Sequence, residues 1–283
     1  MDLTYEVYHG DCFDRLAEIP DKSVTLILTD PPYGHNNKNG DLLANLTAAM
    51  PNETAKRAAL GRKTDFEFSR ETIHNDGEDA NELVRRLFAE AARVLNPVGC
   101  CCCCCCGGGG PDPSFARWSL WMDEVMRFVQ MVIWDRGRGG LGWRYRRCYE
   151  VMLIAVPKRG KLPWYDHSGS IWNVIRPGDH GIRPMSPPTR EHPTQKPVEL
   201  FEHFIRLHTK PGDLVVDPFC GSGSSGVAAK RLGRSWLGCD TDERWVEMTR
   251  RRLAATTSPL PEMLEDELEE CRELEKEQKT LLD

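Results

Sequence analysis

Apolar positions recur along this chain in two rhythms, and the way the rhythms alternate predicts the architecture. Short β-rich apolar runs at residues 5–9, 24–29, 128–134, 149–156, 213–217 and 235–240 predict strands. Between them, residues 12–19, 78–95, 115–127, 197–208, 224–232 and 243–253 carry apolar side chains three and four apart among good helix formers, which predicts helices. Strand and helix taking turns argue for an α/β fold with a mostly parallel, doubly wound sheet covered by helices. The runs at 128–134 and 149–156, joined by a glycine-rich segment, predict a β-hairpin in that sheet. Residues 213–253 make a complete βαβα unit near the C-terminal end.

Three stretches break the rhythm. Residues 35–72 are polar with patchy periodicity and read as a lid or binding loop. Proline, glycine and polar residues dominate 157–193, too polar for a core of their own, so about 157–191 reads as a small recognition insert. Beyond residue 257, leucines at 264, 268, 274 and 281 among acidic residues predict one solvated amphipathic helix. The expected organisation is one domain over 1–257, with halves 1–156 and 192–257 flanking the insert, and a helical tail over 258–283.

Composition sharpens this picture at three points. With 283 residues, 40% of them hydrophobic, the chain can bury a substantial core. No apolar stretch approaches the roughly 20 residues that span a bilayer, and the N-terminus lacks a basic region followed by an apolar one, so the sequence reads as a soluble cytoplasmic protein with no membrane partner.

Of the 12 cysteines, seven form the unbroken run 100–106, and the rest are scattered singly without paired CxxC spacings. Cysteine there is expected to act as a small hydrophobe in a central strand buried on both faces, after a turn at 96–99, with no metal bound. The net charge is −6, but residues 262–283 hold ten acidic and three basic side chains, a balance of −7 that leaves +1 for the rest. Within that near-neutral body, residues 134–147 mix five arginines (Arg136, Arg138, Arg144, Arg146, Arg147) with three aromatics and four glycines. Guanidinium groups there can pair with phosphates while rings stack on bases, as Trp164, Trp172, Arg176 and Arg183 of the insert can, but on charge alone the segment reads as an ordinary solvated hairpin loop, and only the motifs below turn these residues into candidate DNA contacts.

Two strand ends carry the chemistry. The run 24–29 ends in Asp30, Pro31, Pro32 and Tyr33. An acidic residue, two prolines and a ring make a rigid ledge with a carboxylate, an outward carbonyl and a flat face, which suits a planar NH2 group on a ring. The strand 213–217 ends in Asp217, Pro218, Phe219, Cys220, Gly221, Ser222, Gly223 and Ser224. There glycines let a ligand approach the backbone just before a helix N-terminus. Asp240, at the end of the next strand, can accept both hydroxyls of a ribose. The loop has neither the GxGxxG spacing of a dinucleotide site nor the Gly-Lys-Ser/Thr ending of a phosphate loop. It therefore points away from NAD and ATP and toward an adenosine with a zwitterionic tail.

These residues resemble a known family, the permuted beta-group DNA amino-methyltransferases. The likeness runs from about residue 5 to 253 through four motifs in order: Gly10, Asp11 and Cys12; Asp30 to Tyr33; His192 to Pro197; and Asp217 to Gly223. It implies a Rossmann-like class I methyltransferase domain with circularly permuted motif order. It further implies S-adenosylmethionine as cofactor and transfer of its methyl group to an exocyclic amine of a base flipped out of double-stranded DNA.

Carried over residue by residue, Asp30, Pro31, Pro32 and Tyr33 are the catalytic ledge. Asp11 and Cys12 lie near the cofactor's adenine, Asp240 holds its ribose, and Asp217, Pro218, Phe219, Gly221, Gly223 and Ser224 form the loop beneath its methionine part. Thr194 to Lys196 address the amino-acid tail, with Lys196 as partner for its carboxylate. Cys220 stands where the family has alanine or another small residue. An aspartate at the first ledge position usually accompanies adenine N6 and a serine cytosine N4, so adenine is expected, with cytosine N4 and a catalytically inactive DNA- and cofactor-binding module as alternatives. Relatives that methylate a glutamine amide carry Asn-Pro-Pro-Tyr instead. The resemblance places the protein in a bacterial or phage setting and leaves open a homodimer and a cognate restriction enzyme.

Overall fold

The computed structural model describes residues 2–33, 80–105, 114–137, 148–166, 171–182 and 195–280. The expected lid at 35–72 lies outside these residues, as do Thr194, Arg138, Arg144, Arg146, Arg147 and Arg183.

The described strands are β1 (Tyr5–His9), β2 (Val24–Thr29), β3 (Leu95–Cys105), β4 (Arg127–Asp135), β5 (Tyr149–Val156), β6 (Val174–Ile175), β7 (Leu214–Asp217) and β8 (Ser235–Asp240). They form a single sheet in the order β1-β8-β7-β2-β3-β5-β4-β6. All neighbours run parallel except at β5, which is antiparallel to both β3 and β4. The expected hairpin is therefore present, and it supplies the one reversed strand. The helices are α1 (Cys12–Glu18), α2 (Ala80–Val94), α3 (Ser114–Val125), α4 (Val198–His208), α5 (Ser224–Arg231), α6 (Glu243–Ala254) and α7 (Pro261–Thr280).

Helices cover both faces of the sheet, and each face has its own core. On one, α2 buries Ala80, Val84, Leu87, Phe88, Ala91 and Val94, an i, i+4, i+7, i+8 stripe, and Trp118 and Met122 of α3 join it. On the other, Leu200, Phe201, Phe204 and Ile205 of α4 pack with Ala228 and Ala229 of α5 around Trp236. Each fully buried large aliphatic side chain contributes about 1.5–3 kcal/mol.

The cysteine run is the central strand expected of it. Cys101 and Cys103 point into the first core, and Cys100, Cys102 and Cys104 into the second. All five are at most 2% exposed. Burial pushes the thiols of Cys101, Cys102 and Cys104 well above their ordinary range, so they sit as neutral small hydrophobes.

Three local features differ from the sequence reading. The turn expected at 96–99 is a bulge inside β3: Val24 pairs with Leu95 but Leu26 with Cys100, and the Asn96 side chain accepts from Val98 N at 3.0 Å. The insert contributes β6, a two-residue edge strand beside β4, too short to leave a pattern in the sequence. The tail helix is not simply solvated. Leu264, Cys271 and Leu274, spaced seven and three apart, are buried, and Arg234, fully buried, bonds Glu267 at 2.8 Å. The tail's Glu275 also meets the Tyr165 hydroxyl at 2.9 Å and Lys210 Nζ at 2.8 Å.

Candidate active site

The site lies at the carboxyl-terminal edge of the parallel strands, where β2 and β7 sit side by side. From β2 the chain crosses to β3 on one side, and from β7 to β8 on the other, so a crevice opens between their end loops. The Asp30 ledge emerges from β2 and the glycine loop from β7. Both line one cleft of roughly 1140 Å³, counting its open mouth.

Asp30 follows six buried strand residues, and two prolines after it restrict the backbone. Its Oδ1 accepts from the Tyr33 hydroxyl and its Oδ2 from Lys196 Nζ. The Tyr33 ring is held by stacking on Trp118, with centroids 6.1 Å apart and planes 20° from parallel. Burial, followed by the charge of Asp30, pushes the Tyr33 hydroxyl well above its usual range, so it is a donor here.

Lys196, expected at the cofactor's carboxylate, has its ammonium between two protein carboxylates: Asp30, and Glu150 Oε2 at 3.5 Å. Burial works against the charge of Lys196, but the two carboxylates outweigh it and hold the lysine above its ordinary range. Glu150 is itself 3% exposed, and burial raises its carboxyl while Lys196 opposes the shift. Arg136 Nη1 lies 3.5 Å from Glu150 Oε1, so the one described arginine of the 136–147 group faces this cluster.

The glycine loop is fixed from several directions. Asp217 is buried, accepting from Thr29 Oγ1 at 2.7 Å, from Phe219 N at 3.2 Å and from Ser225 Oγ. Burial lifts its carboxyl to about 6, against the pull of those hydrogen bonds. Asp240 Oδ2 accepts from Gly221 N at 3.0 Å and Oδ1 from Asp242 N at 2.8 Å, which leaves the carboxylate at the cleft wall. Gly223 begins α5 at φ 71°, and a Cβ there would lie 2.5 Å from Thr249 Cγ2, so only glycine fits. Thr249 in turn donates to Gly221 O at 3.0 Å, and Ser224 Oγ to Lys196 O at 3.0 Å.

Of the expected cofactor residues, Asp11, Cys12, Asp30, Lys196, Asp217, Pro218, Phe219, Gly221, Ser224 and Asp240 line the cleft, and Gly223 stands behind it as the helix cap. Asp11 also caps α1, accepting from Phe13 N at 2.8 Å. Gln195, inside the expected tail segment, lines the cleft as well, and Leu83, Thr241, Asp242 and Trp245 line it too but escaped the sequence reading. Thr241 and Asp242 follow directly on Asp240 and were findable by adjacency, whereas Leu83 and Trp245 come from helices whose inward face only the fold reveals. In the insert, Trp172 is 83% exposed and Arg176 is exposed, while Trp164 packs on the His208 ring at 5.9 Å.

Away from the cleft, Cys100, Cys102 and His208 bring three donor atoms within 4.8 Å of one another. His208 arrives from a helix more than a hundred residues later, so no spacing along the chain could have shown the grouping. Its Nδ1–H donates to Pro163 O at 2.8 Å, and burial keeps the ring neutral, with a pKa of about 4.

An α/β sheet with a carboxylate–diproline ledge and a glycine loop opening into one switch-point cleft defines an enzyme of the class I methyltransferase architecture. Residues 24–251 match the family model described as DNA methylase, covering both N6 and N4 enzymes, and the chain belongs to that family. It is similar to the Type II methyltransferase M2.DpnII of Streptococcus pneumoniae, at 24% identity across 87% of this chain and 88% of the relative. Its fold is similar to that of M1.HpyAVI solved as a complex with SAM (TM-score 0.57, 21% identity, 88% of this chain and 98% of that one). It is also similar to that of the cytosine-N4-specific PvuII DNA methyltransferase (TM-score 0.61, 17% identity, 95% and 93%). Among the described residues no helix is long and apolar enough to cross a membrane.

Proposed function

We propose that this DNA methyltransferase transfers the methyl group of S-adenosylmethionine to the N6 amine of adenine in double-stranded DNA. The observation that carries the reading is that the Asp30 ledge and the Asp240-braced glycine loop open into the same cleft. The donor set fits the cofactor. Asp240 offers a carboxylate to ribose hydroxyls, Asp11 and Cys12 flank the adenine end, and the loop from Phe219 to Gly223 leaves room under a thioether chain. The tail end falls to the segment Thr194 to Lys196, of which Gln195 and Lys196 line the cleft. S-adenosylmethionine supplies an electrophilic methyl group on a sulfonium.

The exocyclic amine is a weak nucleophile because its lone pair is delocalised into the ring. Asp30 and the Pro31 carbonyl each accept one of its N–H bonds, which draws the nitrogen toward tetrahedral geometry and frees the lone pair. Asp30 stabilises the positive charge that develops on nitrogen as the S–CH3 bond breaks and the N–CH3 bond forms, with S-adenosylhomocysteine as the leaving group. The methylated nitrogen then gives up one proton to solvent, so the pair acts mainly through orientation and electrostatics. Tyr33 holds Asp30 in plane and offers its ring to a base rotated out of the duplex.

Cytosine N4 is the second reading, favoured by the fold's likeness to the PvuII enzyme. The aspartate at position 30 supports adenine. Incubating the protein with methyl-labelled S-adenosylmethionine and mixed-sequence duplex, then separating the nucleosides by mass, decides the matter. Label in N6-methyladenine is expected, label in N4-methylcytosine selects the second reading, and no label in either sinks both.

A further inference from the structure

The cleft accounts for the ledge and the loop but not for Glu150. It is the one charged residue in the otherwise apolar strand Tyr149–Val156, and it is buried. Its location follows from the direction of β5. The strand is antiparallel to β3, with Val151 opposite Cys105 and Leu153 opposite Cys103, while Cys103 pairs with Thr29 at the end of β2. The start of β5 therefore reaches the edge where the parallel strands end, and Glu150 stands behind the ledge rather than across the sheet from it.

Three buried or nearly buried charges then line up. The side chains of Glu150 and Lys196 are each 4% exposed and that of Asp30 17%, with Lys196 between the two carboxylates. Glu150 Oε2 is buried and has no close hydrogen-bond donor among the described residues, Lys196 Nζ lying 3.5 Å away. Its other oxygen meets Arg136 Nη1 at 3.5 Å, so both cations stand at the long limit of an ion pair, and a buried carboxylate so loosely paired is an expensive feature unless its charge has a use.

Asp30 has a use for it. An ammonium free to settle wholly on Asp30 would cover the oxygen needed by the amine and weaken it as an acceptor. A second carboxylate 3.5 Å from the ammonium restrains it as it bonds Oδ2 while Tyr33 bonds Oδ1, which leaves each oxygen of Asp30 a further lone pair for the amine.

Resting on the methyltransferase reading above, we propose that Glu150 is a positioning residue for the reaction: it holds Lys196, and through Lys196 it sets the orientation and acceptor strength of Asp30.

The test compares wild type, Glu150→Gln, Lys196→Met and the double variant. Glu150→Gln keeps size and removes charge, and its kcat should fall about 10- to 100-fold, the cost of a misplaced catalytic group. Affinity for S-adenosylhomocysteine, read by calorimetry, should move less than about threefold, because the glycine loop and Asp240 are untouched. If Glu150 acts through Lys196, the double variant should be no slower than Lys196→Met alone. Unchanged kcat in a folded Glu150→Gln protein overturns the proposal, as do multiplicative losses in the double variant. A kcat loss matched by an equal loss of cofactor affinity also overturns it, since that assigns Glu150 to the cofactor. A wild type that methylates neither base sinks the function reading separately. Melting curves of the same four proteins then still decide the contact: non-additive shifts support it and additive shifts overturn it.

Discussion

The hydroxyl of Thr29 donates to the carboxylate of Asp217 at 2.7 Å, across 188 residues of sequence. Each residue closes a strand, β2 in one case and β7 in the other, and each is followed by a loop of the active site. The bond therefore ties the catalytic half of the chain to the cofactor half at the point where their chemistry must meet. Asp217 works here as a strut. Its oxygens are taken up by Thr29, Ser225 and the backbone of Phe219, so the glycine loop is placed relative to the ledge before any ligand arrives.

Removing the ledge carboxylate separates binding from chemistry. Asp30→Ala should lower kcat by about a hundredfold or more, the range seen when one preorganised electrostatic group is lost. Cofactor affinity, measured by calorimetry, should stay within a few fold, because the groups expected to hold ribose and adenine are elsewhere. Full activity in this variant would rule out the proposed role of Asp30.

The converse substitution is Asp240→Ala. Its carboxylate braces Gly221 and, on the proposed reading, accepts the ribose hydroxyls, so affinity for the cofactor should drop roughly 10- to 100-fold, equivalent to about 1.5–3 kcal/mol for charge-assisted hydrogen bonds. At saturating cofactor, kcat should recover most of its wild-type value. If affinity is unaffected, the ribose is held by another group.

Acid should destabilise the fold through its buried histidines. Burial lowers His208 and His203 to about 4, and His180 and His208 add to the shift at His203. The unfolded chain then takes up protons near pH 6.5 that the folded chain refuses until about pH 4, so stability present above pH 6.5 is lost as pH falls through that window, on the order of 3 kcal/mol per histidine. Asp217 opposes them: its carboxyl, raised to about 6, favours the folded state as pH falls from 6 toward 4. Urea midpoints measured from pH 7 to pH 4 should decline in wild type and decline less in His208→Asn, which keeps a donor for Pro163 O. Parallel slopes would mean that His208 does not carry the effect.

The tail contributes to stability by docking rather than by solvation. Arg234 is 0% exposed, and Glu267 of α7 is its one carboxylate partner among the described residues. Glu267→Ala should cost roughly 1–3 kcal/mol, less than a fully buried pair because Glu267 is itself 30% exposed. Ending the chain after Pro259 should cost more, since Leu264, Cys271 and Leu274 then leave their sites uncovered. Differential scanning calorimetry reads both, and an unshifted melting temperature in the truncated chain would show that the helix is dispensable.

Which of these features the sequence discloses depends on how far each one's cause extends. Asp30, Pro31, Pro32 and Tyr33 could be read directly, because a strand end, two fixed prolines and a ring are all local. The glycines and Asp240 were legible for the same reason. Glu150 was not, since its place beside Asp30 is a consequence of β5 running against its neighbours, and a lone glutamate in an apolar run gives no hint of that reversal. The docking of α7 was hidden likewise: its leucine stripe showed a face, but Arg234 and Tyr165, which receive it, belong to other elements. The two residues of β6 are too few for any period to register.

The central strand has a consequence for how this protein is lost rather than how it works. While the sheet is closed, the thiols of Cys100 to Cys104 are buried, and oxidants do not reach them. Once it opens, a run of neighbouring cysteines meets solvent together and can cross-link within and between chains faster than the strand finds its register again. In a medium without reductant each global opening is then a one-way event, and the working lifetime of the molecule is governed by its unfolding rate rather than by its folding equilibrium.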